Sequence, residues 1–579
     1  RPELTSLCIT AKAKPNPTQP NQPTNQHKLM LARHQAYWVR NRNREARSAR
    51  ASAPPPITIS QACASHEYDA SGYLKVVPLR DFDFVVPYEL TEGKFTYQEA
   101  ANPKNQLGVL HEQCVPLVTS NDFHSFLAAF NKRSNFIQKA EGDDIEDAEF
   151  EESMAIIRAM PHLFGVWDDN DSDRERWLNK FDSSKRQRME VAFSTVQDCD
   201  SEYLGTKDLS VKQEVLIKRD DPTWAPRVIY AGNDAFNAVT GPACMVIMER
   251  LVELLAESKV GPVKVMLGYK TDDVKLATFL AQSDHKETVE GDFSRNDREQ
   301  RSKVARLVDA WLGVLGMPPW YRNLLFKLEE YKVQNRRFGF KARLKFQLPT
   351  GTTMTTARNS LYNMTMFAVA CTRQRRQADA VVLGDDLLAR VSKRLDLDAW
   401  VQTVANFKMV LKAKSPGLDG EATFLSRRIF AEVGTPCMVP LLGKMLVRFN
   451  IRATMNESCS DSQYMAGKAL SYAYECRHVP SLRDIFLQRF RDEDDGGKVT
   501  LDDLTWFARS SGIYDVETLL QRITSETVIV DDIDFGLWCC RHYDLMLCEV
   551  LDLFRDTVLD ARVLMLDSPM LEYMSQDYA

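Results

Sequence analysis

At 579 residues and 44% hydrophobic, the chain can form roughly two to four domains, or one large enzyme of several subdomains, around a substantial core. A net charge of -6 and a pI near 6.0 exclude binding of nucleic acid through overall basicity, so any such binding must come from local clusters. No apolar run approaches the ~18 residues of a membrane span and no secretory signal is visible. Twelve cysteines without a CxxC pair read as reduced thiols in an intracellular protein.

Residues 1–56 hold ten Lys and Arg against two Glu and close on Pro54-Pro55-Pro56. Such a composition buries no core and is expected to be a disordered tail. Arg40, Arg42, Arg44, Arg47 and Arg50 can touch RNA, and a solvated linker explains them equally well. The chain starts at Arg1 rather than Met, so it reads as a piece or processing product, and a membrane anchor can lie outside it. From residue 57 the pattern turns globular, with a strand-like opening. The acidic run Glu141 to Glu152 is expected to be a solvated helix face or loop. WLNKFDSSKRQRMEVAF, residues 177–193, reads as a basic amphipathic helix.

Between Val211 and Tyr230, Lys212, Lys218, Arg219 and Arg227 alternate with β-branched residues, and Pro222 and Pro226 interrupt the run. The pattern predicts an extended basic ribbon able to present cations to a polyphosphate. A strand with solvated basic residues is the plainer alternative. At 287–298, ETVEGDFSRNDR, a β-type segment is expected to end at Asp292. An amphipathic helix follows, with Val304, Leu307, Val308, Trp311, Leu312 and Leu315 on one face and a capping box from Asn296 and Glu299. Asp292 can then point at a metal while Asp297 reaches toward a sugar.

LPTGTTMTTARNSLYNMTMF, residues 348–367, predicts a loop at Pro349-Thr350-Gly351 and then a helix. Thr355 and Asn359, four apart, share a helix face and can read a ribose 2'-hydroxyl. They can equally bond the local backbone. ADAVVLGDDLLARV, residues 378–391, places Gly384-Asp385-Asp386 between two apolar runs, the pattern of a tight β-hairpin. Adjacent carboxylates in an apolar setting suit a divalent cation, and an exposed turn is the alternative. A helix from about 395 to 407, the basic stretch through Lys412 and Lys414, and a mainly helical pattern beyond about 436 complete the chain.

Taken in order, these residues resemble the viral RNA-dependent RNA polymerases. The resemblance rests on the D-x4-D of Asp292 and Asp297, the Thr350-Gly351 to Thr355 to Asn359 spacing, and the Gly384-Asp385-Asp386 hairpin. Upstream, Lys212 and Glu214 with Lys218 and Pro226-Arg227 are similar to the family's basic fingertip motif. PRVIY, EGDFSRND and KRQRMEVAF point to the tombusvirus-like and nodavirus-like positive-strand group. The similarity covers roughly 175–430, and Thr350 stands where many members have Ser.

The resemblance implies an α+β right-hand polymerase fold with an antiparallel palm sheet flanked by helices. Its divisions are a tail at 1–56, an N-terminal and fingers region at 57–283, a palm with finger elements at 284–430, and a mostly helical thumb at 431–579. It implies two Mg2+ ions, replaceable by Mn2+, on Asp292, Asp385 and Asp386. The nucleotide is expected on Lys212, Lys218, Arg219, Arg227, Asp297, Thr350, Gly351, Thr355 and Asn359. Lys412 and Lys414 are equal candidates for the general acid, because lysine can donate a proton where arginine effectively cannot. Implied partners are template and nascent RNA, NTPs, and other viral replication proteins or a membrane through regions outside this chain, at a host cytoplasmic replication complex.

The rival readings are a reverse transcriptase and a non-catalytic RNA-binding scaffold. The Thr/Asn pair and Gly before the paired Asp oppose the first, and the intact carboxylates oppose the second. Asp492 to Asp503 partly matches an EF-hand loop through Asp492, Asp494, Gly497, Val499 and Asp503. Gly496 removes a ligand and Asp503 is shorter than the usual Glu, which favours an acidic capping turn over calcium.

Overall fold

Five strands form the sheet on which the conspicuous carboxylates sit: β1 (Val263–Leu267), β2 (Glu287–Ser294), β3 (Ala378–Leu383), β4 (Asp386–Val391) and β5 (Val410–Lys414), in the order β5-β2-β4-β3-β1. The computed structural model describes residues 106–119, 122–134, 145–181, 183–196, 199–217, 225–294, 296–338, 340–432, 434–453, 460–493, 515–560 and 565–578, all within one unit, Ile57–Ala579. The tail at 1–56, the opening from 57, Lys218, Arg219 and most of the acidic loop to Asp503 lie outside the described residues.

The sheet is antiparallel except at its β3–β1 pairing, which is parallel. The sheet is therefore mixed rather than purely antiparallel. A parallel neighbour requires a long crossover, and the chain returns to β3 through a helix.

Alternation explains how the sheet is buried on both faces. Val289 and Phe293 of β2, Leu387 and Ala389 of β4, and Ala380 and Val382 of β3 pack with four helices: α1 (Asp234–Glu257), α2 (Ser302–Val314), α3 (Thr355–Arg373) and α4 (Leu397–Asn406). Val381 and Leu388, pointing the other way, pack on the Asp273–Ala281 helix and a small three-stranded sheet at 423–440. The expected apolar face of α2 is buried throughout, from Val304 to Leu315. The expected capping box is not formed. Asn296–Glu299 makes its own short helix, and α2 begins after Arg301 with no side-chain cap.

A second, four-stranded sheet joins Lys207–Val211, Val228–Gly232, Glu330–Asn335 and Phe340–Lys345. Phe126 and Phe130 of the Phe123–Arg133 helix cover it. Two strands of this sheet come from between β2 and β3 in the sequence. The remaining helices, starting with α5 (Leu442–Phe449), enclose a separate apolar core. Leu110–His111 pairs with Met565–Leu566, and Leu117–Val118 pairs with Val215–Leu216, so one short stretch ties the last helices to the strands near residue 215.

Two local expectations are corrected. The basic stretch at 177–193 is not one helix but the end of Asp171–Leu178 and most of Ser183–Thr195. The acidic run is not wholly solvated: Glu149, on Asp147–Arg158, is buried, where Arg373 and Asn406 bond its carboxylate. Burial of a charge is tolerated there because it is paired and hydrogen-bonded.

Candidate active site

The β3–β4 connection is a two-residue turn, with Leu383 paired to Asp386 and Gly384 at φ +65°. A left-handed residue at the first turn position lets the turn follow the twist of the strands. Asp385 is thereby carried at the tip, exposed, while Asp386 begins β4. Strand β2 lies beside β4 with Leu387 opposite Gly291, so continuing the register by one residue brings Asp386 opposite Asp292. Asp292 is two residues short of the strand's end, not at it. Gly291 is required by packing, since a Cβ there would lie 2.9 Å from the Trp400 ring of α4.

The carboxylates repel one another. Asp386 is pushed up to about 7 by burial first, then by Asp385, Asp292 and Glu290, with Lys444 opposing. Asp385 is also raised, by desolvation in the cleft, then by Asp297 and Asp292, while Arg227 lowers it. Negative charge on oxygen donors that nearby cations only partly compensate is the setting in which a hard divalent cation binds. Among the described residues, no three Asp, Glu, His or Cys side chains cluster tightly enough to hold a metal alone. A divalent cation there would need oxygen ligands from substrate or water as well.

Asp292 and Asp385 line a cavity of about 690 Å3 together with Asp297, Thr350, Arg227 and Lys412. Asp386 and Lys212 do not line it. Strand β5 separates the two candidate lysines. Lys412 lies opposite Asp292, whereas Lys414 lies opposite Glu290 and is ion-paired to it at 3.0 Å. The basic ribbon is also partly neutralised. Glu214 accepts from Arg227 Nε at 2.7 Å and sits 3.4 Å from Lys212 Nζ. Glu214 holds the Arg227 guanidinium in its charged form, with Asp385 and Asp297 adding to the effect.

Asp297 is clamped between two elements. Thr350 Oγ1 donates to one carboxylate oxygen, and Asn359 Nδ2 donates to the other at 3.0 Å. Gln300 Nε2 in turn donates to Asn359 Oδ1 at 2.7 Å, fixing the amide's orientation. Thr355 does not join this cluster. Its hydroxyl accepts from Gly351 N–H at 3.2 Å and lies 3.3 Å from Pro349 O, bracing the loop that presents Thr350. As the first residue of α3 it is placed beside loop backbone rather than beside the cavity. Gly351, at φ +95°, supplies the loop's left-handed position.

The cavity's other wall has no counterpart among the residues picked out by sequence. Lys444 and Arg448 of α5 line it, and so do Asp577 and Tyr578. Asp577 is anchored by Arg428 Nη2 at 2.8 Å, Gly443 N–H at 2.9 Å and Tyr543 OH at 2.7 Å. The i,i+4 spacing of Lys444 and Arg448 was a readable signal of a basic helix face. Nothing local marks Asp577 or Tyr578.

The arrangement can bind a polyphosphate on cations, hold divalent metal on oxygens, and present a fixed carboxylate to a hydroxylated substrate. A family model described as RNA dependent RNA polymerase matches residues 120–510, well over half of the chain. No curated protein matches it.

Proposed function

The chain belongs to the RNA-dependent RNA polymerases of positive-strand RNA viruses and is therefore an RNA-directed nucleotidyltransferase, and from that premise we propose how its residues perform the reaction. A 3'-hydroxyl attacks the α-phosphate of a template-selected NTP and pyrophosphate leaves, chemistry that depends mostly on positioning and charge neutralisation. The single observation that carries this reading is the convergence of Asp292, Asp385, Asp297, Thr350, Arg227 and Lys412 on one cavity.

Asp292 and Asp385 are the residues that would hold divalent metal, with Asp386 contributing charge from behind the turn. When bound, two Mg2+ ions would supply Lewis acidity at the attacking and leaving oxygens. Arg227, oriented by Glu214, takes the triphosphate, and Lys218 and Arg219 belong to the same proposal. Asp297, aligned by Thr350 and Asn359, accepts a hydrogen bond from the ribose. Lys412 protonates the leaving pyrophosphate. The five-stranded sheet serves as palm, the four-stranded sheet and its helices as fingers, and the helices from α5 onward as thumb. RNA is gripped mainly through its backbone. No helix among the described residues is long and apolar enough to cross a membrane, so attachment to a cytoplasmic replication membrane would come through other proteins or other segments.

Primer extension and primer-independent synthesis on one RNA template with Mg2+, run beside Asp385→Ala, test the reading. Incorporation is expected to fall by about 10³-fold or more in the folded variant. A variant with wild-type incorporation refutes the metal assignment.

A further inference from the structure

Helix α3 carries two sets of buried polar side chains within five residues. The first is Asn359, which grips Asp297. The second is Ser360 and Asn363, which grip the metal-binding turn. Gly384 N–H donates to Ser360 Oγ at 2.8 Å, and Asn363 Nδ2 donates to the carbonyls of Gly384 at 3.3 Å and Asp385 at 3.1 Å. Ser360 sends its own proton to Thr356 O at 2.8 Å, which leaves an oxygen lone pair for the Gly384 N–H. Ser360 is 0% and Asn363 2% exposed, while the outer side of Gly384 faces open space. These contacts grip the turn from the α3 side. Two side-chain torsions separate the Asp385 carboxylate from that backbone, so its aim follows the turn.

We propose that Ser360 and Asn363 are positioning residues: they fix the Gly384-Asp385 backbone so that Asp385 shares its cation with Asp292, and α3 mounts the metal turn and the sugar-reading Asp297 on one rigid element. The inference rests on Asp385 being a metal ligand. A purely structural alternative is that the two side chains only satisfy buried backbone groups. That alternative predicts a loss of stability without a selective loss of metal.

The test measures Mn2+ binding by electron paramagnetic resonance on the full chain with RNA template and a non-hydrolysable NTP analogue, referenced to the analogue alone, beside melting temperature and steady-state kinetics. Asn363→Leu should weaken Mn2+ binding by roughly ten-fold and Ser360→Ala by roughly five-fold, the scale of one or two lost buried hydrogen bonds. Ser360→Thr, which keeps the hydroxyl, should restore Mn2+ affinity to within about two-fold. In the weakened variants kcat falls, while the KM for NTP and the NTP over dNTP preference hold, because Asn359 and Asp297 are untouched. Mn2+ affinity unchanged in both variants, an equal loss in Ser360→Thr, or sugar preference falling in step with kcat overturns the proposal. Should Asn363→Leu fail to fold, the Ser360 pair decides alone. A wild-type chain that binds Mn2+ but makes no RNA defeats the polymerase reading and not this one, whereas one that binds no Mn2+ overturns both.

Discussion

Asp297 is held at both carboxylate oxygens, by Thr350 and by Asn359. In the proposed role, a carboxylate so fixed would accept a ribose hydroxyl without first having to be ordered and would lose a partner when the sugar lacks that hydroxyl. Asn359→Ala is therefore expected to lower the NTP over dNTP preference by about ten-fold or more, with a smaller change in NTP turnover. Competition between matched NTP and dNTP on one template measures it, and an unchanged ratio removes Asn359 from sugar selection. The two lysines of β5 divide in the same way. Lys412 faces the cavity opposite Asp292, and Lys414 is spent on Glu290. Lys412→Ala should lower kcat by about 10²-fold, while Lys414→Ala changes it only a few-fold. Equal losses would return the general acid to an open choice.

Strand β2 shows how an element constrains a candidate metal ligand. Asp292 points to the cavity because Val289, Gly291 and Phe293 point the other way into the core, and Gly291 is the point where α4 presses its Trp400 onto the strand. A methyl group there meets Trp400 at 2.9 Å and Leu411 at 3.1 Å, one on the facing helix and one on the neighbouring strand. Gly291→Ala should cost about 1–3 kcal/mol by overpacking and lower activity through displacement of Asp292. Thermal melting together with incorporation rate checks it, and a variant as stable and active as wild type would show that the strand can yield without cost.

Across the whole molecule, long-range polar contacts join distant parts of the chain. Asp273 is buried between Arg477, His478 and Arg427, and the hydrogen bond with His478 together with the two guanidinium charges holds its carboxyl far below the usual range against the cost of burial, linking the Asp273–Ala281 helix to the later helices. His111 does the same near the first described strand. Its ring lies 3.0 Å from Ser568 Oγ and 3.1 Å from Thr557 Oγ1, and burial lowers its pKa from 6.5 to about 4. The folded chain thus keeps His111 neutral where the unfolded chain takes a proton. Its contribution is fully present above pH 6.5 and is lost as pH falls toward 4, by on the order of 3 kcal/mol. Melting temperatures between pH 7 and pH 5 should fall more steeply for wild type than for His111→Gln, and parallel slopes would show that His111 does not carry the effect.

What the sequence determined by itself was everything set by neighbours in the chain. The Gly384-Asp385 turn, the apolar face from Val304 to Leu315, the loop at Pro349-Thr350-Gly351 and the D-x4-D spacing all follow from local backbone preference and side-chain periodicity. Family resemblance extended these to a polymerase, which the match over 120–510 bears out. The tertiary structure alone decided which of these residues meet. Lys412 and Lys414 share a strand face, and only the register against β2 gives them different neighbours, Asp292 for one and Glu290 for the other. Thr355 and Asn359 share a helix pattern, yet the loop's return beside α3 turned one to the backbone and left the other on Asp297. The parallel β3–β1 pairing, the buried Glu149, and the wall made by Lys444, Arg448, Asp577 and Tyr578 depend on contacts between residues far apart in the chain. Periodicity and spacing carry no information about such contacts, because they arise only when separate elements pack around a shared core.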